Sequence, residues 1–169
     1  MGKTKFTLVM TYVIEFTVCS FIGWLYEEGL ELVINHSYSD RGILHLPLLP
    51  IYGFGSLLLM LFYRKKDHSA FYIFFTSMLI TTALELAASY PLEWILGYIP
   101  WYYSGWFLNF EGRIALVSSV IFGLMGILLV KAVHPFCRKL ERSPAVAVNT
   151  AGIICALAFV IDLSILLLV

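Results

Sequence analysis

Five apolar stretches, each about 20 residues or longer, leave this 169-residue chain few folds to choose from. A helix needs about 20 mostly apolar residues to cross the hydrocarbon core of a bilayer. Within that core every backbone N–H and C=O must bond inside the protein, so a helix is the expected form of each stretch. The stretches predict helices over about 6–34, 44–63, 71–98, 114–133 and 146–169. Composition agrees: 60% of the residues are hydrophobic and only 13% are charged, against about 25% charged in soluble domains. We therefore expect an all-α integral membrane protein, one transmembrane domain over residues 1–169 built as a bundle of five transmembrane helices.

Basic residues set the expected orientation. If the five segments alternate, Lys3, Lys5, Arg64, Lys65, Lys66, Lys131, Arg138, Lys139 and Arg142 fall on one side, and only Arg41 and Arg113 on the other. Short loops rich in Lys and Arg stay in the cytoplasm, which predicts an N-terminus inside and a C-terminus outside a cell membrane. The acids lean the other way. Glu27, Glu28, Glu31, Asp40, Glu93 and Glu111 gather at the expected outer face. Glu28 and Glu31 read as a solvated rim, whereas Glu27, Arg41, Glu93 and Arg113 flank bilayer-depth segments and are expected to pair.

Other totals exclude whole classes. The formal net charge is zero and no long basic tract exists, so no nucleic-acid partner is expected. No Walker-type phosphate loop is present, so the chain is not expected to hydrolyse ATP itself. The first segment follows Lys3 and Lys5 but lacks a small-residue cleavage site, and we read it as a retained helix. Cys19, Cys137 and Cys155 lie in different segments without CxxC spacing and read as free thiols. His36 and His45 are too far apart in a loop to suggest a metal site, and no cofactor or metal is expected.

The densest polar content lies between Glu85 and Arg113. Glu85, Ser89 and Glu93 recur every four residues and would share one helix face. A charged group in lipid costs roughly 2.5–3.5 kcal/mol on insertion scales, so the stripe calls for partners. Pro91 cannot donate a backbone N–H and crowds the carbonyl of Ala87, which predicts a kink in the third helix. The second segment opens LPLLPIYGFG, where Pro47, Pro50, Gly53 and Gly55 predict a broken or re-entrant entry; a Pro-capped helix start is the alternative. Gly123 and Gly126 in the fourth segment suit close helix packing. HPFCRKLERSP reads as a basic connector on anionic headgroups, and the fifth helix is expected at the periphery. Glu15 and Asp162 could each be helix glue or a proton relay, and could serve one another.

The pieces FIGWLYEE (21–28), DRG (40–42), LPLLPIYGFG (46–55), LELAASYPLE (84–93), WYYS (101–104) and NFEGRIALVSSVIFG (109–123) occur in that order. Together they resemble small bacterial membrane proteins of the ABC-transporter permease family, CmpB type. The resemblance points to Gly23, Trp24, Glu27, Arg41, Gly42, Pro47, Pro50, Tyr52, Gly53, Gly55, Glu85, Ser89, Glu93, Trp101, Tyr103, Ser104, Asn109, Gly112 and Arg113. Where that pattern carries an Asp, this chain has Tyr102.

Three function classes follow. The first is a permease or ligand-binding subunit with an outward-facing pocket for a small molecule or cation. Its expected lining is Trp24, Glu27, Arg41, Tyr52, Glu85, Ser89, Glu93, Trp101, Tyr103, Asn109 and Arg113, since a few polar groups in an apolar, aromatic cavity make a small-molecule site. Five helices are few for a lone transporter, so a homo-oligomer or partner subunits are expected. The second is an outer-leaflet acid/base enzyme acting on a lipid-like substrate, with Glu85, Glu93 and Glu27 as its carboxylates. The third is a scaffold whose ion pairs only hold helices together.

Overall fold

The structure, a computed structural model, describes residues 4–38, 42–63 and 68–168, without the side chains of Ile34, Asn35 and Glu141. Five apolar helices carry the chain. They are α1 (Lys5–Asn35), α2 (Pro50–Tyr63), α3 (Ala70–Leu96), α4 (Leu116–Leu128) and, at the C-terminal end, α6 (Ala145–Leu168). Between the last two, a π-helical turn (Leu129–Val133) continues α4 into the short α5 (His134–Lys139) and a 3-10 turn, Leu140–Arg142. Four stretches are long and apolar enough to cross a membrane: Lys5–Val33, Ala70–Leu96, Leu116–Lys139 and Ala145–Leu168. Among the described residues no strand forms, only an isolated bridge between Phe110 and Ile114.

Helix ends follow local chemistry. The Thr4 side chain accepts from Thr7 N–H at 3.3 Å, and Ser69 does the same for Tyr72. Both are hydroxyl caps satisfying an orphan donor. Gly97, with φ 76°, ends α3 and returns its N–H to the Glu93 carbonyl at 2.8 Å, the left-handed closure that glycine adopts without a Cβ penalty.

One bound needs correction here. The second segment is not helical from residue 44; its entry is irregular and α2 begins at Pro50. Prolines 47 and 50 lack a donor and disfavour helix in the residue before each. At 14 residues, α2 is roughly 21 Å long, short of the roughly 30 Å hydrocarbon core. The basic connector HPFCRKLERSP is largely helical. Pro135 removes the bond its N–H would make one turn back, and the wide π turn lies directly before it.

The chain forms two compact units, Met1–Leu57 with Val133–Val169, and Leu58–Ala132. In the first, α1 packs along α6 and against α5. A Cβ on Gly152 would stand 2.7 Å from the Met10 Cβ, so that glycine lets the two backbones approach. α6 is therefore a principal partner of α1 within this unit, with most of its surface exposed. The non-helical entry to α2 is held by protein. His45 N–H and Leu46 N–H donate to Asp162 at 3.3 and 2.9 Å, and Leu49 N–H donates to the Ser20 carbonyl at 3.0 Å. Irregular backbone among membrane segments persists only where its polar groups are so satisfied.

In the second unit α3 packs along α4. Gly123 faces Phe74, Gly126 faces Ser77, and Thr82 Oγ1 donates to Ser119 Oγ at 2.8 Å. Both units are polar inside and apolar outside. Thr7, Thr11, Glu15, Ser20, Ser77 and Ser89 are wholly buried, while Trp94 and Leu168 are among the most exposed residues. Lipid solvates the apolar rim, so packing is left to small and hydrogen-bonding residues.

A Cβ on Gly126 would collide with the Ser77 side chain, whereas one on Gly29 meets nothing within 4 Å. Gly126→Leu is expected to lose about 1–3 kcal/mol through overpacking. Gly29→Ala should be neutral or gain up to about 1 kcal/mol from helix propensity. Melting of both variants in detergent, beside wild type, checks the pair.

Candidate functional site

The polar stripe of α3 is continuous, because the helix runs through Pro91 to Leu96. Glu85 and Ser89 are buried, at 3% and 0% exposure, and Glu93 is half-buried. Glu85 and Glu93, two turns apart, are engaged by different groups. Tyr103 OH donates to Glu85 Oε1 at 2.8 Å, while Glu93 Oε2 pairs with Arg113 Nη2. They do not form a carboxylate dyad, and roughly 12 Å of helix axis separates them.

The loop from Gly97 to Ala115 is folded to deliver Tyr103 and Arg113 to that stripe. Asn109 locks the turn: its Nδ2 donates to the Trp106 carbonyl at 3.0 Å, and its Oδ1 accepts from Gly112 N–H at 3.1 Å. Tyr103 N–H donates to the Gly112 carbonyl at 2.7 Å, and Trp101 Nε1 donates to the Arg113 carbonyl at 3.0 Å. Gly112 has φ 68°, and its missing Cβ leaves room for the Tyr102 ring. Tyr102, standing where the family pattern has an acid, covers that glycine instead of adding charge. Leu108 and Glu111 hold left-handed backbone at φ 50° and 52°, a costly conformation without glycine.

Arg113 is the hub of the site and is itself buried, at 8% exposure. Beyond its bond to Glu93, Nη1 donates to Ser89 Oγ at 3.3 Å and Nε lies 3.4 Å from Glu111 Oε2. Its guanidinium carbon sits 4.3 Å from the Tyr90 ring centre, a cation–π contact. Tyr90 OH in turn donates to Glu111 at 3.0 Å. The bond to Glu93 is the main reason the Arg113 guanidinium lies above its ordinary pKa.

Of the expected lining, Glu85, Ser89, Glu93, Trp101, Tyr103, Asn109 and Arg113 are thus brought together in the second unit. Trp101 and Asn109 use their polar atoms on backbone, which makes them positioning residues. Tyr90 belongs to the cluster and was missed; a tyrosine adjoining Ser89 and three residues before Glu93 was the available signal. In the first unit Tyr52 OH donates to Glu27 Oε1 at 2.6 Å, with Gly23 making room for the Tyr52 ring. Trp24 has a buried Nε1 without a hydrogen-bond partner among the described residues. Arg41 lies outside the described residues.

Other acids depart from expectation. Glu28, expected in a solvated rim, is buried at 8% exposure. Glu15 and Asp162 do not serve one another. Glu15 is bonded to His134 at 2.8 Å, and Asp162 to His45 Nδ1 at 2.9 Å. Among the described residues no group of three or more His, Cys, Asp or Glu is placed to hold a metal ion.

Arg113→Gln leaves Glu93 and Glu111 without their shared cation, and the melting temperature is expected to fall by several degrees. The double variant Arg113→Gln/Glu93→Gln should recover part of the loss, because removing both partners of a buried pair costs less than removing one. Differential scanning fluorimetry of wild type, both single variants and the double variant tests this as a cycle.

No curated protein and no solved structure matches the chain. A family model described as "Putative ABC-transporter type IV", CmpB, matches residues 14–167. That span holds every residue of the Arg113 cluster and all five apolar helices in whole or large part, so the chain belongs to this ABC-transporter-type family of membrane proteins.

Proposed function

We propose that this protein is a membrane subunit of a transporter in the cell membrane, with its N-terminus inside, and that the cluster around Glu85, Tyr103 and Arg113 binds a small molecule bearing a positive group. The carrying observation is the make-up of the cluster. Among the described residues, Glu93 and Glu111 pair with Arg113, and Glu85 lies on the same stripe against Tyr103, within a wall of Tyr90, Trp101 and Tyr103. Carboxylates beside aromatic faces suit an organic cation or a zwitterion. Such a ligand would meet the Glu85–Tyr103 end of the stripe, since Arg113 already engages Ser89, Glu93 and Glu111.

Trp24, Glu27 and Tyr52, with Arg41 by sequence, form a second candidate set for the same screen. ATP hydrolysis would fall to a partner subunit, as this chain lacks a phosphate-binding loop. A second reading has an observation behind it. The guanidinium is paired with Glu93, Glu111 and Ser89 of its own chain, which is what a purely structural clamp would show, and in that case the family membership reflects assembly rather than cargo.

The two readings separate in a thermal-shift screen of the detergent-purified protein against amines, quaternary ammonium compounds and amino acids. A bound ligand at 100 times its Kd stabilises the folded state by about 2.7 kcal/mol. The transport reading expects at least one such compound to raise the melting temperature of wild type but not of Glu85→Gln. A flat screen, with Glu85→Gln melting well below wild type, would favour the clamp.

A further inference from the structure

Glu15 has 0% exposure within the membrane-spanning α1. Its two carboxylate oxygens lie 2.8 and 3.0 Å from His134 Nδ1. The residues are 119 apart in sequence, and both belong to the unit in which α1 packs against α5. We propose that Glu15 and His134 form a proton-binding site, loaded and unloaded from the basic side of the membrane.

Three observations carry this. First, the group facing Glu15 is one that can take up or give up a proton. Asp162, another buried carboxylate of this unit, is held by two backbone N–H groups besides His45, and amides do not exchange charge. Imidazole does so near neutral pH. Second, the pair is graded in access: the His134 side chain is 26% exposed and that of Glu15 is sealed. Third, a basic residue stands on one side of the pair: Arg138 of α5 lies 6.0 Å from the ring centre of Tyr12, which precedes Glu15 by one turn of α1.

The surroundings define the charge states. From α1, Tyr12 and Cys19 face the pair; from α5, Cys137 and Arg138. Both thiols are near enough to feel the charge of Glu15. The 3-10 turn packed on α1 brings Arg142, which is exposed. α6 brings Cys155, and its Asp162 is committed to His45. Lys131 precedes His134 by three residues in the chain. A bare carboxylate is costly at this depth, so the proton resides on Glu15 or on His134. One proton entering from the basic side charges the pair, and its release restores neutrality. The π turn Leu129–Val133 directly before His134 fits such a role, since π-helical turns recur at functional sites.

The test uses the full chain in lipid nanodiscs, labelled with 15N-histidine and 13C-carboxyl glutamate, titrated from about pH 5 to 8. His134→Gln and Glu15→Gln assign the signals. The His134 ring and the Glu15 carboxyl are expected to change together, with one midpoint. In Glu15→Gln the His134 midpoint should move by at least about one pH unit. Flat signals across the range, a wild-type His134 change with no matching change at the Glu15 carboxyl, or an unchanged His134 midpoint in Glu15→Gln would each overturn the proposal. Should the variants not fold, the wild-type titration still decides, because a permanent structural pair stays flat.

Discussion

One guanidinium ties the C-terminal part of α3 to the loop that follows it. Arg113 reaches Ser89, Tyr90 and Glu93, positions that span a single turn of α3, and it also meets Glu111 in its own loop. Each of those groups would be costly beside lipid if left alone. Together they satisfy one another and allow a polar stripe to persist in a helix otherwise fit to cross a membrane. The loop geometry follows from that need. Asn109, Gly112 and Trp101 hold the backbone in the one path that brings Arg113 back to the helix, and two residues accept left-handed backbone for it.

The same inversion runs through the first unit. Carboxylates here serve as acceptors for groups from elsewhere in the unit. Asp162 takes the amides of the irregular entry to α2, Glu27 takes the Tyr52 hydroxyl, and Glu15 takes His134. These three are chemically unequal. Asp162 anchors backbone, so its role is geometric. Glu27 meets a phenol, and Glu15 meets an imidazole, which changes charge near neutral pH; Asp162 meets one too, but binds two amides beside it. The distinction lies in the partner, not in the acid.

Membership in an ABC-transporter-type family and the mutual pairing around Arg113 pull the functional reading in two directions, toward cargo and toward assembly. Both need the cluster intact, so its presence within the matched span does not choose between them. Glu85 joins the stripe to the loop through the Tyr103 hydroxyl, whereas Glu93 does so through the Arg113 guanidinium.

Much of this could be read from the chain alone. The length of each apolar stretch set the helices, since lipid allows no other backbone solution, and the four-residue spacing of Glu85, Ser89 and Glu93 placed them on one face. Prolines 47 and 50 announced an irregular entry, though not that α2 would start as late as residue 50. Thr7, Thr11 and Glu15, also four apart, marked the buried face of α1 just as plainly and were overlooked. Tertiary structure alone decided the partners. Glu15 lies 119 residues from His134, and Asp162 lies 117 from His45. Helical periodicity says which way a side chain points but nothing about what another helix brings to meet it. A buried acid must find a donor; which donor it finds depends on how whole helices pack, and that is decided by the small residues between them.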